Sequence, residues 1–156
     1  MFSKEAEYAI RALVYIQSKN MNGKKPGVEE ISNTIDSPRF FTARILHRLT
    51  KMGFIGSQKG RNGGFFFDPK RPVLPLKEVI TAIDGDKLFT GCGFGLKQCD
   101  ENHPCPLHNQ YALIRNALNT LTTTQTIQSL AGNFTLNQTL GTTSYPPSGI
   151  QNGHSA

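Results

Sequence analysis

The stretch that decides the fold is Ser37–Phe67, SPRFFTARILHRLTKMGFIGSQKGRNGGFFF. Ser37-Pro38 is a helix start: a capping hydroxyl, then a proline at the first helical position, where its missing N–H costs nothing. From there Phe41, Ile45, Leu49 and Met52 recur at spacings of four, four and three, which makes one face of a helix running to about Met52 apolar. The other faces carry Arg39, Thr42, Arg44, His47, Arg48 and Lys51. Gly53 ends this helix, and 54–58 reads as a short strand. Lys59-Gly60-Arg61-Asn62-Gly63-Gly64 is then a tight, basic hairpin loop, and 65–67 is the returning strand.

On the N-terminal side, residues 4–19 read as a helix, with Ala6, Ala9, Ile10, Leu13 and Ile16 on one face. Asn22-Gly23 and Pro26-Gly27 mark a turn. A short helix over 28–35 follows, with Val28, Ile31 and Ile35 as its apolar positions, and Asp36 and Ser37 close it. Two helices, a basic helix and a basic β-hairpin, in that order, predict a winged helix-turn-helix. The fold class expected is therefore mainly α with a small β-hairpin.

In such a motif the second helix enters the major groove with its N-terminal residues nearest the base edges. Pro38, Arg39, Phe40, Thr42 and Ala43 would then lie near bases, with Ser37 at the entry. Arg39 suits a bidentate contact to guanine, and Thr42 a thymine methyl or a phosphate. Arg44, Arg48 and Lys51 lie further along and suit phosphates. Arg61, at the wing tip between Lys59 and Asn62, suits the negative potential of a minor groove. A basic helix face is more often plain solvated surface, and a glycine-rich tip more often just a turn. What separates this chain from that bland reading is the order of the elements, together with six Lys/Arg and no acidic residue from Arg39 to Arg61.

The charge balance agrees. The 156 residues carry a formal net charge of +6, yet residues 1–71 hold thirteen Lys/Arg against six Asp/Glu, and residues 72–156 four against five. The basic character belongs to the first half. That favours a nucleic-acid-binding unit over a generally basic protein, although charge alone would also serve an anionic membrane surface. The N-terminus, with Lys4, Glu5 and Glu7, shows no apolar signal region, and no apolar run approaches the ~20 residues that span a bilayer. The expectation is a cytoplasmic protein with reduced thiols and no membrane partner.

Beyond the hairpin, Pro69, Pro72 and Pro75 lead to a short helix marked by Leu76, Val79, Ile80 and Ile83, ending at Asp84-Gly85. Cys92–His108, CGFGLKQCDENHPCPLH, then holds all three cysteines and two of the four histidines, spaced C-x6-C-x5-C-x2-H. Soft thiolates with an imidazole are ligands for zinc or an iron–sulfur cluster. Gly91, Gly93 and Gly95 free the backbone around Cys92, while Pro104 and Pro106 stiffen the chain beside Cys105. Pro106 suits the first residue of a helix with Cys105 at its N-cap, where the helix dipole would favour a thiolate. An odd cysteine count argues against a disulfide framework. Zinc is a rival on ligand chemistry, but the short C-x2–4-C knuckle of structural zinc sites is missing. Asp100, Glu101 and His103 read as solvated loop residues.

After this loop Tyr111, Ile114, Leu118 and Leu121 predict a long helix over 106–131, which the β-branched run Thr122–Thr124 weakens at its end. The chain thus divides into a DNA-binding unit (1–85), a ligand loop (86–107), a helix (106–131) and a polar tail (132–156), its last part, 141–156, expected to be disordered. A small electron-transfer protein or metalloenzyme is the alternative of another class. No Ser/His/Asp pattern or paired carboxylates support it, and GRNGG precedes a strand, which rules against a phosphate loop. No enzyme activity is expected.

AEYAIRALVYI, then SPRFFTARILHRLTKMGFIGSQKGRNGGFFF, then PLKEVITAIDG and a three-cysteine loop, resemble the IscR/NsrR family of bacterial winged-helix regulators over residues 1–130. The resemblance implies a transcription regulator, often a repressor, on a pseudo-palindromic double-stranded DNA operator. It implies a homodimer joined through the long C-terminal helix, which makes 106–131 a dimerisation helix. It also implies a [2Fe–2S] or [4Fe–4S] cluster on Cys92, Cys99 and Cys105 that senses redox, nitric oxide or cluster status. The fourth ligand would be His108 or, in the nitric-oxide-sensing branch, Glu7 from the partner. A zinc-stabilised or thiol-based regulator is the alternative within the class.

Overall fold

The computed structural model describes residues 1–133; the tail from 134 on lies outside the described residues, and with it the disorder expected for 141–156. The elements are α1 (Lys4–Asn20), α2 (Val28–Thr34), α3 (Arg39–Lys51), β1 (Gly56–Gln58), β2 (Gly64–Phe66), α4 (Leu76–Asp84), α5 (Lys87–Thr90), α6 (His108–Thr124) and α7 (Ile127–Asn133). The described residues are mainly helical with one antiparallel hairpin, as the sequence predicts.

The core is built around α1. Ser3 caps it, its hydroxyl accepting from the Ala6 amide at 3.1 Å, and Glu5 and Glu7 sit in the first turn where the helix dipole favours them. Ala6, Ala9 and Ala12 are buried beside Leu13, Val14 and Ile16. The small side chains let α3, α4 and α7 approach closely on several sides. Ile31, Ile35, Ile45, Leu46 and Leu49 carry this core through α2 and α3, and Val79, Ile80 and Ile127 close it from the C-terminal half.

The turn from α2 to α3 departs from expectation. Ser37 does not cap α3: its amide donates to the Ser32 carbonyl at 3.0 Å, while its hydroxyl is buried without a partner among the described residues. Pro38 takes the capping position in an extended conformation, and its carbonyl accepts from both the amide and the hydroxyl of Thr42. Asp36, at φ 53°, makes the tight left-handed step before it.

The wing pairs Gly56 with Phe66, Ser57 with Phe65 and Gln58 with Gly64. Gly64 sits at φ 145°, and a Cβ there would come within 2.2 Å of the Lys25 carbonyl oxygen. Glycine is required because the returning strand runs directly against the α1–α2 turn, where the Phe65 amide donates to the Pro26 carbonyl at 2.9 Å. Asn20 completes the tie by accepting from the Phe67 amide at 2.9 Å.

The helix expected over 106–131 is two helices. Gln125 is extended, and around it residues 125–127 pair with 74–76: the Leu76 amide donates to the Gln125 carbonyl at 3.0 Å and the Ile127 amide to the Leu74 carbonyl at 2.8 Å. A reciprocal cap then starts α7, with the Thr126 amide donating to Ser129 Oγ at 3.0 Å and the Ser129 amide to Thr126 Oγ1 at 2.9 Å. This break turns Ile127 and Ala131 into the core. At the other end α6 begins at His108, not Pro106, because a turn closed by the His108 amide on the Cys105 carbonyl precedes it. Cys105 is therefore not an N-cap.

Candidate nucleic-acid interface and metal centre

The face that α3 leaves outside the core carries Arg39, Phe40, Arg44, His47 and Lys51, all exposed; Phe40 is 89% exposed, an unusual placement for so large an apolar ring. Pro38 is exposed beside them, with Ala43 half-buried. Arg44 lies over the Phe41 ring at 5.1 Å, which fixes its stem without hiding its charge. At the wing tip Lys59, Arg61 and Asn62 are exposed, and Asn62 takes the left-handed conformation that narrows the turn.

Three of the residues expected to contact DNA are otherwise engaged. Thr42 is fully buried with its hydroxyl on the Pro38 carbonyl, so it cannot meet a base. Ser37 has its hydroxyl buried. Arg48 Nη1 donates to Glu5 Oε1 at 2.7 Å, which turns its guanidinium toward α1 and away from the role of a bare phosphate ligand. Only for Thr42 is this a matter of helix face, set by how α3 packs in the core; Ser37 precedes the helix and Arg48 is drawn aside by an acidic partner on α1. Sequence reading also passed over Lys24 and Lys25. Lys25 Nζ lies 4.8 Å from the Phe66 ring and bonds Gln58, so this lysine pair extends the positive surface at the base of the wing. The doublet just before the Pro26-Gly27 turn was the available signal.

The thiol loop runs from the end of α5 to the start of α6. It brings its four candidate ligands together two and two. Cys92 Sγ lies 3.6 Å from Cys105 Sγ, and Cys99 Sγ lies 3.4 Å from His108 Nδ1. All three cysteines are free and half-buried. Backbone amides of Leu96 and Phe94 aimed at Cys92 hold its thiol below the usual thiol range. Gly93 packs flat on Tyr111 of α6, and a Cβ there would fall 2.5 Å from the ring. An open cavity of about 1050 Å³ adjoins Cys92, Cys99 and Tyr111.

Asp100 and His103 bond each other at 2.9 Å, and this bond, with the Asn102 amide, holds the Asp100 carboxyl below its ordinary range. Both fit the reading as solvated loop residues, as does exposed Glu101. Glu7 is ion-paired with Lys4 at 3.2 Å at the start of α1.

A tetrahedral ion with metal–sulfur bonds near 2.3 Å and metal–nitrogen bonds near 2.0 Å sets its sulfurs about 3.8 Å apart and a sulfur–nitrogen pair about 3.6 Å apart. Each pair therefore spans one edge of such a tetrahedron. Among the described residues no three His, Cys, Asp or Glu side chains gather into a site for a single ion.

A core-tied reading head, a basic helix face and a wing define the winged-helix class of transcription regulators. Residues 2–133 match the sequence profile of Rrf2, described as "Iron-dependent Transcriptional regulator", and the chain belongs to that family. It is 27% identical over 132 residues to an HTH-type transcriptional regulator of Aquifex aeolicus, covering 83% of this chain and 90% of that one. It is 22% identical over 131 residues to the regulator IscR of Yersinia pseudotuberculosis, covering 84% and 79%. The fold superposes on CymR, the global cysteine regulator of B. subtilis, with TM-score 0.69 at 15% identity, over 86% of this chain and 98% of that one. The first two of these relatives are named as transcriptional regulators. Among the described residues no helix is long and apolar enough to cross a membrane.

Proposed function

We propose that this chain is a homodimeric, cytoplasmic transcription regulator, most simply a repressor, that binds a pseudo-palindromic operator and whose affinity is set by an iron–sulfur cluster on Cys92, Cys99, Cys105 and His108. The observation that carries this is the two-and-two arrangement of the ligands. In a binuclear cluster each iron takes two protein ligands, so the pairs Cys92/Cys105 and Cys99/His108, with no three ligands gathered around one point among the described residues, favour a [2Fe–2S] centre over one tetrahedral zinc. When bound, the cluster supplies a centre whose oxidation state or integrity changes with redox or nitric-oxide exposure. Cys92, Cys99 and Cys105 would hold it in the loop, and His108 would link it to the first turn of α6.

Dimerisation is supported by α6 itself. Leu113, Ile114 and Leu121 are 73%, 63% and 52% exposed, and with Ala117 they make an apolar face that nothing among the described residues covers. Two copies packed along it would put two reading heads on two half-sites. Any change in the loop reaches α6 through His108 and so reaches the spacing of the heads. Coupling of this kind is commonly worth about 1–3 kcal/mol, or 5- to 150-fold in operator affinity.

The test is the absorption spectrum, iron and sulfide content of anaerobically isolated protein. Coloured protein with both elements is expected, and Cys92→Ala should lose them; colourless protein with one zinc per chain refutes the cluster. A second reading rests on the 3.6 Å separation of Cys92 and Cys105, which needs a movement of about 1.5 Å to reach disulfide bonding distance. A thiol-based switch would show a Cys92–Cys105 disulfide by non-reducing mass spectrometry, with operator affinity following it.

A further inference from the structure

Arg115 of α6 stands four residues after Tyr111 and seven after His108, so all three lie along one stripe of the helix that faces the loop. Its Nη1 donates to Cys99 Sγ at 3.0 Å and to the Gly91 carbonyl at 3.1 Å. The two contacts bridge the ends of the six-residue gap between the first two cysteines. Cys99 is thereby held between the guanidinium on one side and the His108 ring on the other. Cys92, in contrast, faces backbone amides.

Guanidinium is a permanent cation with donors and no acceptor, so its contact with sulfur is favourable in proportion to the negative charge the sulfur carries. Its side chain is half-buried, where such a contact is less screened than at the surface. Hydrogen bonds to ligand sulfurs are among the levers that set the potential of an iron–sulfur centre.

We infer that Arg115 is a positioning residue of the thiolate centre: it holds the Cys99 sulfur against His108, ties the loop to α6 at Gly91, and raises the reduction potential of the centre by an N–H···S bond to Cys99. The inference rests on the cluster reading above. It predicts that sulfur ligands are not equivalent: the Cys99 side feels a side-chain cation, and the Cys92 side does not share it.

The experiment compares wild-type, Arg115→Met, Arg115→Gln and Arg115→Lys proteins, isolated anaerobically, by iron and sulfide content, redox titration and visible circular dichroism. In loaded Arg115→Met the ratio of oxidised to reduced centre, at a fixed potential near the wild-type midpoint, should rise about tenfold, equivalent to about 59 mV for one electron. Arg115→Lys should recover part of that shift, and Arg115→Gln, which keeps a donor without charge, less. Thermal unfolding of the three should stay close to wild type, which a merely structural role would not give. If Arg115→Met fails to load, recovery of loading by Arg115→Lys supports the contact, and equal failure of both overturns it. A loaded Arg115→Met with unchanged potential and dichroism overturns this inference alone, whereas a wild-type protein without iron and sulfide overturns the cluster reading and this inference with it.

Discussion

At the scale of the residue, neighbouring side chains on α3 have opposite fates. Arg39 is exposed at the start of the helix, and Thr42, less than one turn later, is fully buried. Arg39→Ala should cost about 1–3 kcal/mol of operator binding and relax preference at one base pair, measured by fluorescence anisotropy over a set of single-base operator variants. Thr42→Val should leave that preference intact. The Pro38 carbonyl keeps the Thr42 amide as donor, so only about 1 kcal/mol of folding stability should be lost, read from urea unfolding. A changed base preference in Thr42→Val would show that the buried side reaches the groove after all. Arg48 is intermediate: its ion pair with Glu5 takes one of its guanidinium nitrogens and competes with any phosphate for the rest of its charge.

At the scale of the element, the sequence was most legible where period and punctuation agreed. The limits of α1 and α4 and the order of the wing follow from spacing and from Gly53, Pro75 and Gly85. The helix expected over 106–131 breaks at Gln125 although the apolar period of Tyr111, Ile114, Leu118 and Leu121 runs on to the end of α6. Nothing in that period shows that residues 125–127 pair with 74–76, a contact some fifty residues distant in the chain. The available signal was Thr126-x-x-Ser129, a reciprocal cap hidden within a threonine-rich run. If the cap and the pairing together define α7, Ser129→Ala should cost about 1 kcal/mol. Ile127→Ala should cost about 2–5 kcal/mol because its side chain is fully buried against α1. Chemical denaturation with helix content as the probe would check both, and an unaffected Ile127→Ala would mean that α7 is not part of the cooperative core. For the thiol loop, spacing alone gave the ligand types but not the pairs. Which sulfur meets which partner depends on the path of residues 92–105 over Tyr111, and on Gly93 lying flat against its ring.

At the scale of the whole molecule, each chain has one reading head, and a single head with about five exposed cations on α3 and the wing makes few phosphate contacts. The salt dependence of binding should follow the number of phosphates neutralised, with a slope in log–log form of about −0.9 for each. Two heads held at fixed spacing should roughly double that slope, and they add an effective concentration that raises affinity by about 10²–10⁴ over one head. The apolar face of α6 is where such a pair would join, and charge placed on it should separate the two effects. Leu121→Glu sits on that face, is 52% exposed, and is remote from α3 and the wing in sequence, so the fold of the head should survive. The variant should sediment as a monomer, lose about a hundredfold or more in affinity for a two-half-site operator, halve its salt slope, and keep its affinity for an isolated half-site. If Leu121→Glu stays dimeric with full affinity, α6 is not the joining surface, and a signal arriving at His108 must reach the DNA through the contacts of α6 with α4 and of α4 with α1 within one chain.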